Sequence, residues 1–211
     1  MSMLPLNGAF AGLLLTLGFE VDLVRAAVPS AGEDGRGWGS HLVLLVRLPE
    51  QVWVADVGLG DGMADPMPLL VRVVEQPPFR YEWERVGGSR WRFHHDRSAT
   101  IGGFDLDVTP VPLSAFEPNH AELSTAPHSS FVQRLVVQQR RPDHALTLRG
   151  CVLTRADATG RTSRDVTKEA EWTALLREEF GLRLDVEPAA LTALWERIRA
   201  GHEAWDRAGR P

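Results

Sequence analysis

The segment from Gly39 to Gly62, GSHLVLLVRLPEQVWVADVGLGDG, constrains this chain more than any other. Two runs rich in Val, Leu and Trp flank Pro49–Glu50, a pattern that predicts a β-hairpin. With Leu48 facing Gln51 across a two-residue loop, paired residue numbers sum to 99. His41 then lies opposite Gly58, and Asp56 is its diagonal neighbour on the same face. Any odd sum keeps the two together, because strand side chains alternate with period 2. The rest of that face is mostly apolar: Val43, Leu45, Val52 and Val54. A carboxylate in such surroundings needs a donor, and an imidazole N–H within reach is a natural one. An Asp that accepts from one ring nitrogen fixes the tautomer and leaves the other nitrogen to take a proton from a nucleophile. The same pair also reads simply as a satisfied polar contact inside a sheet.

Around this hairpin the chain reads as α+β. Asn7–Leu17 predicts a short helix, with Asn7 as N-cap and Gly18 as its stop. Phe10, Leu13, Leu14, Leu15 and Leu17 make it apolar on nearly every side, so it is expected to pack against more protein than precedes it here. Strands are expected at Glu20–Val28, Ser40–Leu48, Gln51–Val57, Leu69–Val74, Phe79–Arg85 and Arg90–His94. Their shortness and the Gly and Pro signals between them point to an antiparallel sheet or barrel. Further strands are expected around Phe131–Gln138 and Ala145–Leu153. Thr167 then caps a helix bearing Trp172, Leu175, Leu176 and Phe180, which Gly181 stops. Pro188 suits the first turn of a last helix carrying Leu191, Leu194, Trp195 and Ile198.

Composition narrows the function. With 23 basic against 28 acidic residues the net charge is −5, which gives no field to hold a phosphate backbone, so nucleic acid is not an expected partner. No apolar run approaches the ~18 residues needed to span a bilayer, and no Lys or Arg precedes the apolar stretch Gly8–Phe19 as in a secretory signal. The single cysteine, Cys151, excludes an internal disulfide and suits the cytoplasm. His94-His95-Asp96, His120 and His128 make no metal-ligand spacing, so no metal is expected. Gly58-Leu59-Gly60-Asp61-Gly62 is followed by Asp65-Pro66-Met67-Pro68 rather than by the helix a dinucleotide loop requires.

The run HLVLLVRLPEQVWVADVGLG resembles the arylamine N-acetyltransferases. In that family the catalytic His opens one strand and the catalytic Asp begins an Asp-Val-Gly-Phe-Gly motif on the next. Here that motif is Asp56-Val57-Gly58-Leu59-Gly60. The likeness continues through Ala64-Asp65-Pro66-Met67-Pro68-Leu69, Phe116-Glu117-Pro118-Asn119 and Ser124-Thr125-Ala126-Pro127-His128-Ser129-Ser130-Phe131. It reaches Glu178-Glu179-Phe180-Gly181, and so covers nearly the whole chain. The fold implied belongs to the cysteine-proteinase-like superfamily: an N-terminal helical bundle, an antiparallel β-barrel and an α/β lid. On this resemblance, residues 1–19 keep the last helix of the bundle, 20–126 form the barrel carrying His41 and Asp56, and 127–211 form the lid.

The resemblance also implies a reaction. A cysteine thiolate takes the acetyl group from acetyl-CoA, which acts as co-substrate with no bound cofactor, and passes it to an aromatic amine or hydrazine. The family nucleophile sits in Arg-Gly-Gly-x-Cys-Phe-Glu-x-Asn-Gly. Asn7-Gly8 matches the end of that motif, and counting back four from Asn7 puts Met3 at the cysteine. A thioether has no ionisable proton and forms no stable thioester, so the chain as written is expected to be inactive or impaired. Ser2 is a poor substitute nucleophile beside that position, and Cys151 matches no catalytic position. Phe131 is expected to line the aromatic substrate pocket, Gly58 and Gly60 to keep backbone close to a ligand, and Trp38 and Trp53 to flank the hairpin. The rival expectation is a non-catalytic binding or regulatory module on this scaffold, a homodimer through helix 7–17.

Overall fold

The computed structural model describes residues 4–28 and 37–210, so Ser2 and Met3 lie outside the described residues. The chain opens with helix α1, Leu4–Thr16, ended by Gly18 at φ +88°. Eight strands follow: β1 Glu20–Ala27, β2 His41–Leu48, β3 Gln51–Ala55, β4 Met67–Pro68, β5 Val73–Gln76, β6 Phe79–Gly87, β7 Arg90–His94 and β8 Gly103–Pro110. They form one antiparallel sheet in the order β4-β3-β2-β1-β8-β7-β6-β5. The two edge strands, β4 and β5, are consecutive in the chain. Leu69–Arg72 leads directly from one edge to the other and curls the sheet into a nearly closed barrel.

Alternation along each strand fills that barrel. Val24, Val43, Leu45, Val54, Tyr81, Trp83, Phe93, Phe104 and Leu106 point inward and are buried. The opposite face of β1 to β3 offers Leu42, Leu44, Val46 and Ala55, on which α1 lays Ala11, Phe10 and Leu14 together with Phe116. Leu6, Leu13 and Leu15 remain exposed on α1, as does Leu17 just after it.

Helices α2, Glu117–Thr125, and α3, Ser130–Gln133, lead to a second antiparallel sheet. Its strands, β9 Val136–Arg140, β10 His144–Arg149, β11 Val152–Asp157 and β12 Gly160–Asp165, lie in sequential order. Leu146, Leu148 and Cys151 on this sheet pack against Trp172 of α4, Glu169–Ala174, against Leu175, Leu176 and Phe180 just after it, and against Trp195 of α5, Pro188–Arg207. Pro188 takes the first turn of α5 as expected, and Gly181 ends the preceding helical segment at φ +66°.

Four expectations are corrected. Asn7 is not the N-cap of α1 but lies inside it, because its side chain is committed to the hairpin described below. The expected strand Phe131–Gln138 begins as helix α3: Ser129 Oγ accepts from the Phe131 N–H and starts a helical turn, which delays the strand to Val136. Gly150, at φ +57°, breaks the expected strand Ala145–Leu153 into β10 and β11. Of the expected strand Leu69–Val74 only Val73 and Val74 are strand, as the start of β5; Leu69–Arg72 is the bend that crosses from β4 to β5. The register of the hairpin is the expected one, with Leu48 opposite Gln51 and Leu44 opposite Ala55.

Candidate active site

The site is assembled where α1, the start of β2 and the end of β3 meet. His41 is the first residue of β2 and pairs with Ala26 of β1, which directs its ring into the barrel with 0% exposure. The ring meets Phe104 edge-on, with centroids 5.4 Å apart. Asp56 follows the last residue of β3 and is likewise buried. His41 Nε2–H donates to Asp56 Oδ2 at 2.5 Å. The other ring nitrogen, Nδ1, is buried and has no hydrogen-bond partner among the described residues.

Asn7 completes the arrangement. Fully buried, its Nδ2 donates to Asp56 Oδ1 at 2.7 Å and to the Leu42 carbonyl at 2.6 Å, while its Oδ1 accepts from the Val57 N–H at 2.9 Å. The Gly58 N–H also donates to Asp56 Oδ1, at 2.8 Å. Both carboxylate oxygens are thus satisfied, one by His41 and one by the Asn7 amide and a backbone N–H. Burial pushes the Asp56 carboxyl up, but the His41 charge and the donors on His41, Asn7 and Gly58 outweigh it and leave the group below its ordinary value. The result is an ionised aspartate that holds the Nε2–H tautomer of His41 and leaves Nδ1 as a proton acceptor.

The residues singled out from the sequence fall into two groups. His41, Asp56 and the Gly58 backbone meet in one hydrogen-bonded unit. Gly60 instead faces the second sheet: a Cβ there would lie 2.5 Å from Gln138 Cβ, so glycine lets the loop touch β9. Phe131 stands on α3, 38% exposed, outside the hydrogen-bonded unit. Trp53 packs beneath α1, and Trp38 carries the Arg90 guanidinium 4.9 Å from its ring centroid. Cys151 is buried in the core of the second sheet, where burial pushes its thiol up, the wrong direction for a nucleophile. His94 Nε2 contacts Glu84 at 2.8 Å and His95 Nε2 contacts the Asp61 carbonyl at 2.9 Å, so the two adjacent histidines serve different partners. The expected nucleophile position, Met3, lies outside the described residues. Asn7 is the site residue that strand reasoning passed over; its signal was the Asn-Gly that closes the family's cysteine motif.

His41 and Asp56 thus form a buried, hydrogen-bonded pair in the barrel, and a family model described as N-acetyltransferase matches residues 4–189. The chain is 28% identical over 188 residues to an arylamine N-acetyltransferase of Escherichia coli, covering 85% of this chain and 65% of that relative's length. The arylamine N-acetyltransferase structure from Mycobacterium abscessus superposes with a TM-score of 0.79 at 28% identity, covering 90% of this chain and 70% of that one. The Mycobacterium marinum arylamine N-acetyltransferase, solved in complex with CoA, shares the fold with a TM-score of 0.79 at 22% identity. The chain belongs to the arylamine N-acetyltransferase family.

Proposed function

We propose that this protein binds acetyl-CoA and aromatic amines in the cytoplasm, and that His41 and Asp56 supply the acid–base half of acetyl transfer between them. One observation carries this reading: a buried His41 tied to Asp56 through Nε2, with Nδ1 unpartnered among the described residues. In this reading Nδ1 accepts the nucleophile's proton as its sulfur or nitrogen attacks the thioester carbonyl, and the CoA thiolate leaves and is reprotonated from His41. Asn7 and Gly58 hold Asp56 so that the ring does not rotate between those steps. The CoA complex of the Mycobacterium marinum relative supports acetyl-CoA as the donor.

Counting from Asn7 puts Met3 at the nucleophile, and a thioether cannot be acylated to a thioester. As written, the chain therefore holds the acid–base pair without its thiolate and turns over poorly by the covalent route. Residues 1–19, 20–126 and 127–211 act in this reading as helical segment, barrel and lid, with Phe131 contributing from the lid and Gly58 and Gly60 from the barrel. The test is intact mass after incubation with acetyl-CoA, before and after an aromatic amine. The expected result is no acetyl adduct on folded protein; an adduct that the amine removes, mapped to Ser2 or Cys151, overturns it.

A second reading, a non-catalytic module that dimerises through helix 7–17, is favoured by the exposure of Leu13 and Leu15 on α1 and of Leu17 just after it. Sedimentation as a monomer at micromolar concentration counts against it.

A further inference from the structure

On the outer face of the barrel, over β1, β8 and β7, a cavity of about 280 Å³ is lined by Arg25, Trp38, Arg90, Asp107, Thr109 and Val111. The sheet places its charges in a row. Arg25 of β1 and Arg90 of β7 both pair in register with Asp107 of β8 between them. His41 is opposite Ala26, so period-2 alternation sends Arg25 to the face away from His41.

The row is unbalanced. Two guanidinium groups flank one carboxylate, and that carboxylate already accepts from the Thr109 N–H at 3.0 Å. Arg25, half-buried, makes no hydrogen bond or ion pair with the described residues. In the next row Arg92 and Asp105 form a closed fork, with contacts of 2.6 and 2.9 Å, which is how this sheet neutralises an arginine it does not otherwise use.

Two further features shape the place. The β1–β8 ladder passes from Val24–Pro110 to Arg25–Asp107, leaving Val108 and Thr109 as a bulge at Arg25. A bulge re-aims the side chains beside it. Trp38 is fixed from the other side: Asn119 Nδ2 donates to its carbonyl at 2.7 Å, and Gly39, at φ +86°, leaves no room for a Cβ against that amide. This gives Phe116-Glu117-Pro118-Asn119 a task, with Phe116 anchoring it in the core beneath α1. Arg90 lies over the Trp38 ring, and a guanidinium stacked in this way keeps its N–H edge free for an oxyanion.

We propose that this cavity binds a small organic phosphate, its phosphoryl group held by Arg25 and Arg90 and its apolar part against Trp38 and Val111. A dianion suits two guanidinium groups set against one engaged carboxylate, and the cavity exceeds what a bare phosphate fills. The site is separate from the His41–Asp56 unit and does not depend on the reading of that unit.

The test is calorimetric titration of the full chain with phenyl phosphate and, separately, inorganic phosphate, at physiological ionic strength. Phenyl phosphate is expected to bind one to one, and more tightly than inorganic phosphate. Arg25→Gln should weaken it at least about tenfold, the scale of one lost charge-assisted fork. Arg92→Gln, which removes a cation of equal charge one row away, should leave binding unchanged. Trp38→Ala should reduce phenyl phosphate to the affinity of inorganic phosphate. No saturable binding in the millimolar range, or equal weakening by Arg25→Gln and Arg92→Gln with all variants giving the parental circular dichroism spectrum, overturns the site.

Discussion

Replacing Asn7 with Ala removes three hydrogen bonds at once, and the structure sets what each is worth. The bond to Asp56 Oδ1 at 2.7 Å involves a charged acceptor, worth about 1.5–3 kcal/mol. Asp56 Oδ1 keeps the Gly58 N–H, so the carboxylate is weakened rather than abandoned. The Leu42 carbonyl, in a residue 1% exposed, loses the Asn7 amide at 2.6 Å, at a cost of about 1–3 kcal/mol if unsatisfied. The Val57 N–H loses its acceptor too, but Val57 is 48% exposed and water can replace it at little cost. The total for Asn7→Ala is roughly 3–5 kcal/mol, read from urea denaturation midpoints at neutral pH.

Asn7→Asp tests the electrostatic half of the same reasoning. It sets a second carboxylate against Asp56, and the pair cannot both ionise, so one folded-state pKa rises above its unfolded value. That contribution is intact below the unfolded carboxylate range and is lost as pH rises, so Asn7→Asp should approach the parent only in acid. The parent has the opposite slope at this locus. Its depressed Asp56 stabilises above the ordinary carboxylate range and loses that stability as pH falls. An Asn7→Ala midpoint within about 1 kcal/mol of the parent would refute the argument that Asn7 clamps the hairpin.

Three other substitutions probe the join between the sheets, helix α1 and the barrel interior. Gly60→Ala puts a Cβ 2.5 Å from Gln138 Cβ and 3.2 Å from its carbonyl oxygen, and should destabilise by about 1–3 kcal/mol and speed hydrogen exchange in β9. Gly12→Ala on α1, where nothing lies within 4 Å, should instead stabilise by up to about 1 kcal/mol in the same denaturation assay. His95, buried among Phe79, Tyr81 and Phe93, is held below its ordinary value, first by burial. The unfolded chain therefore takes the proton first, and stability falls as pH drops below about 6.5 by up to about 1.4 kcal/mol per pH unit. His95→Phe should flatten that limb between neutral pH and pH ~5, whatever it costs at neutral pH; an unchanged slope would remove His95 from the account.

The hairpin was legible because Pro49–Glu50 set the turn and register, and period-2 alternation of strand side chains then put His41 and Asp56 on one face, although β2 itself is apolar and buried on both faces. What sequence reading lost is instructive in each case. Strand β8, GFDLDVTP, alternates cleanly, but its two aspartates are poor strand formers and hid a strand central to the sheet. Strand β12, GRTSRD, has no apolar residue at all and is a strand only because β11 pairs with it at the sheet edge. Asn7 looked like a cap because caps and buried clamps use the same side chain. Only the fold decides whether an amide meets its own helix end or a carboxylate 49 residues away. Gly60 read as a ligand-side glycine, whereas its nearest neighbour is Gln138 of the second sheet, a contact between segments that no local pattern encodes.

The measurement that bears most directly on the site is nitrogen-15 NMR of the His41 ring in the parent and in Asp56→Asn. The account predicts that neutral His41 is the Nε2–H tautomer, with a strongly deshielded Nε2 proton that Asp56→Asn shifts upfield, and with Nδ1 bearing the chemical shift of an unprotonated acceptor. An Nδ1–H tautomer in the parent, or a ring that exchanges between both tautomers, would contradict the claim that Asp56 holds His41 ready to accept a proton at Nδ1.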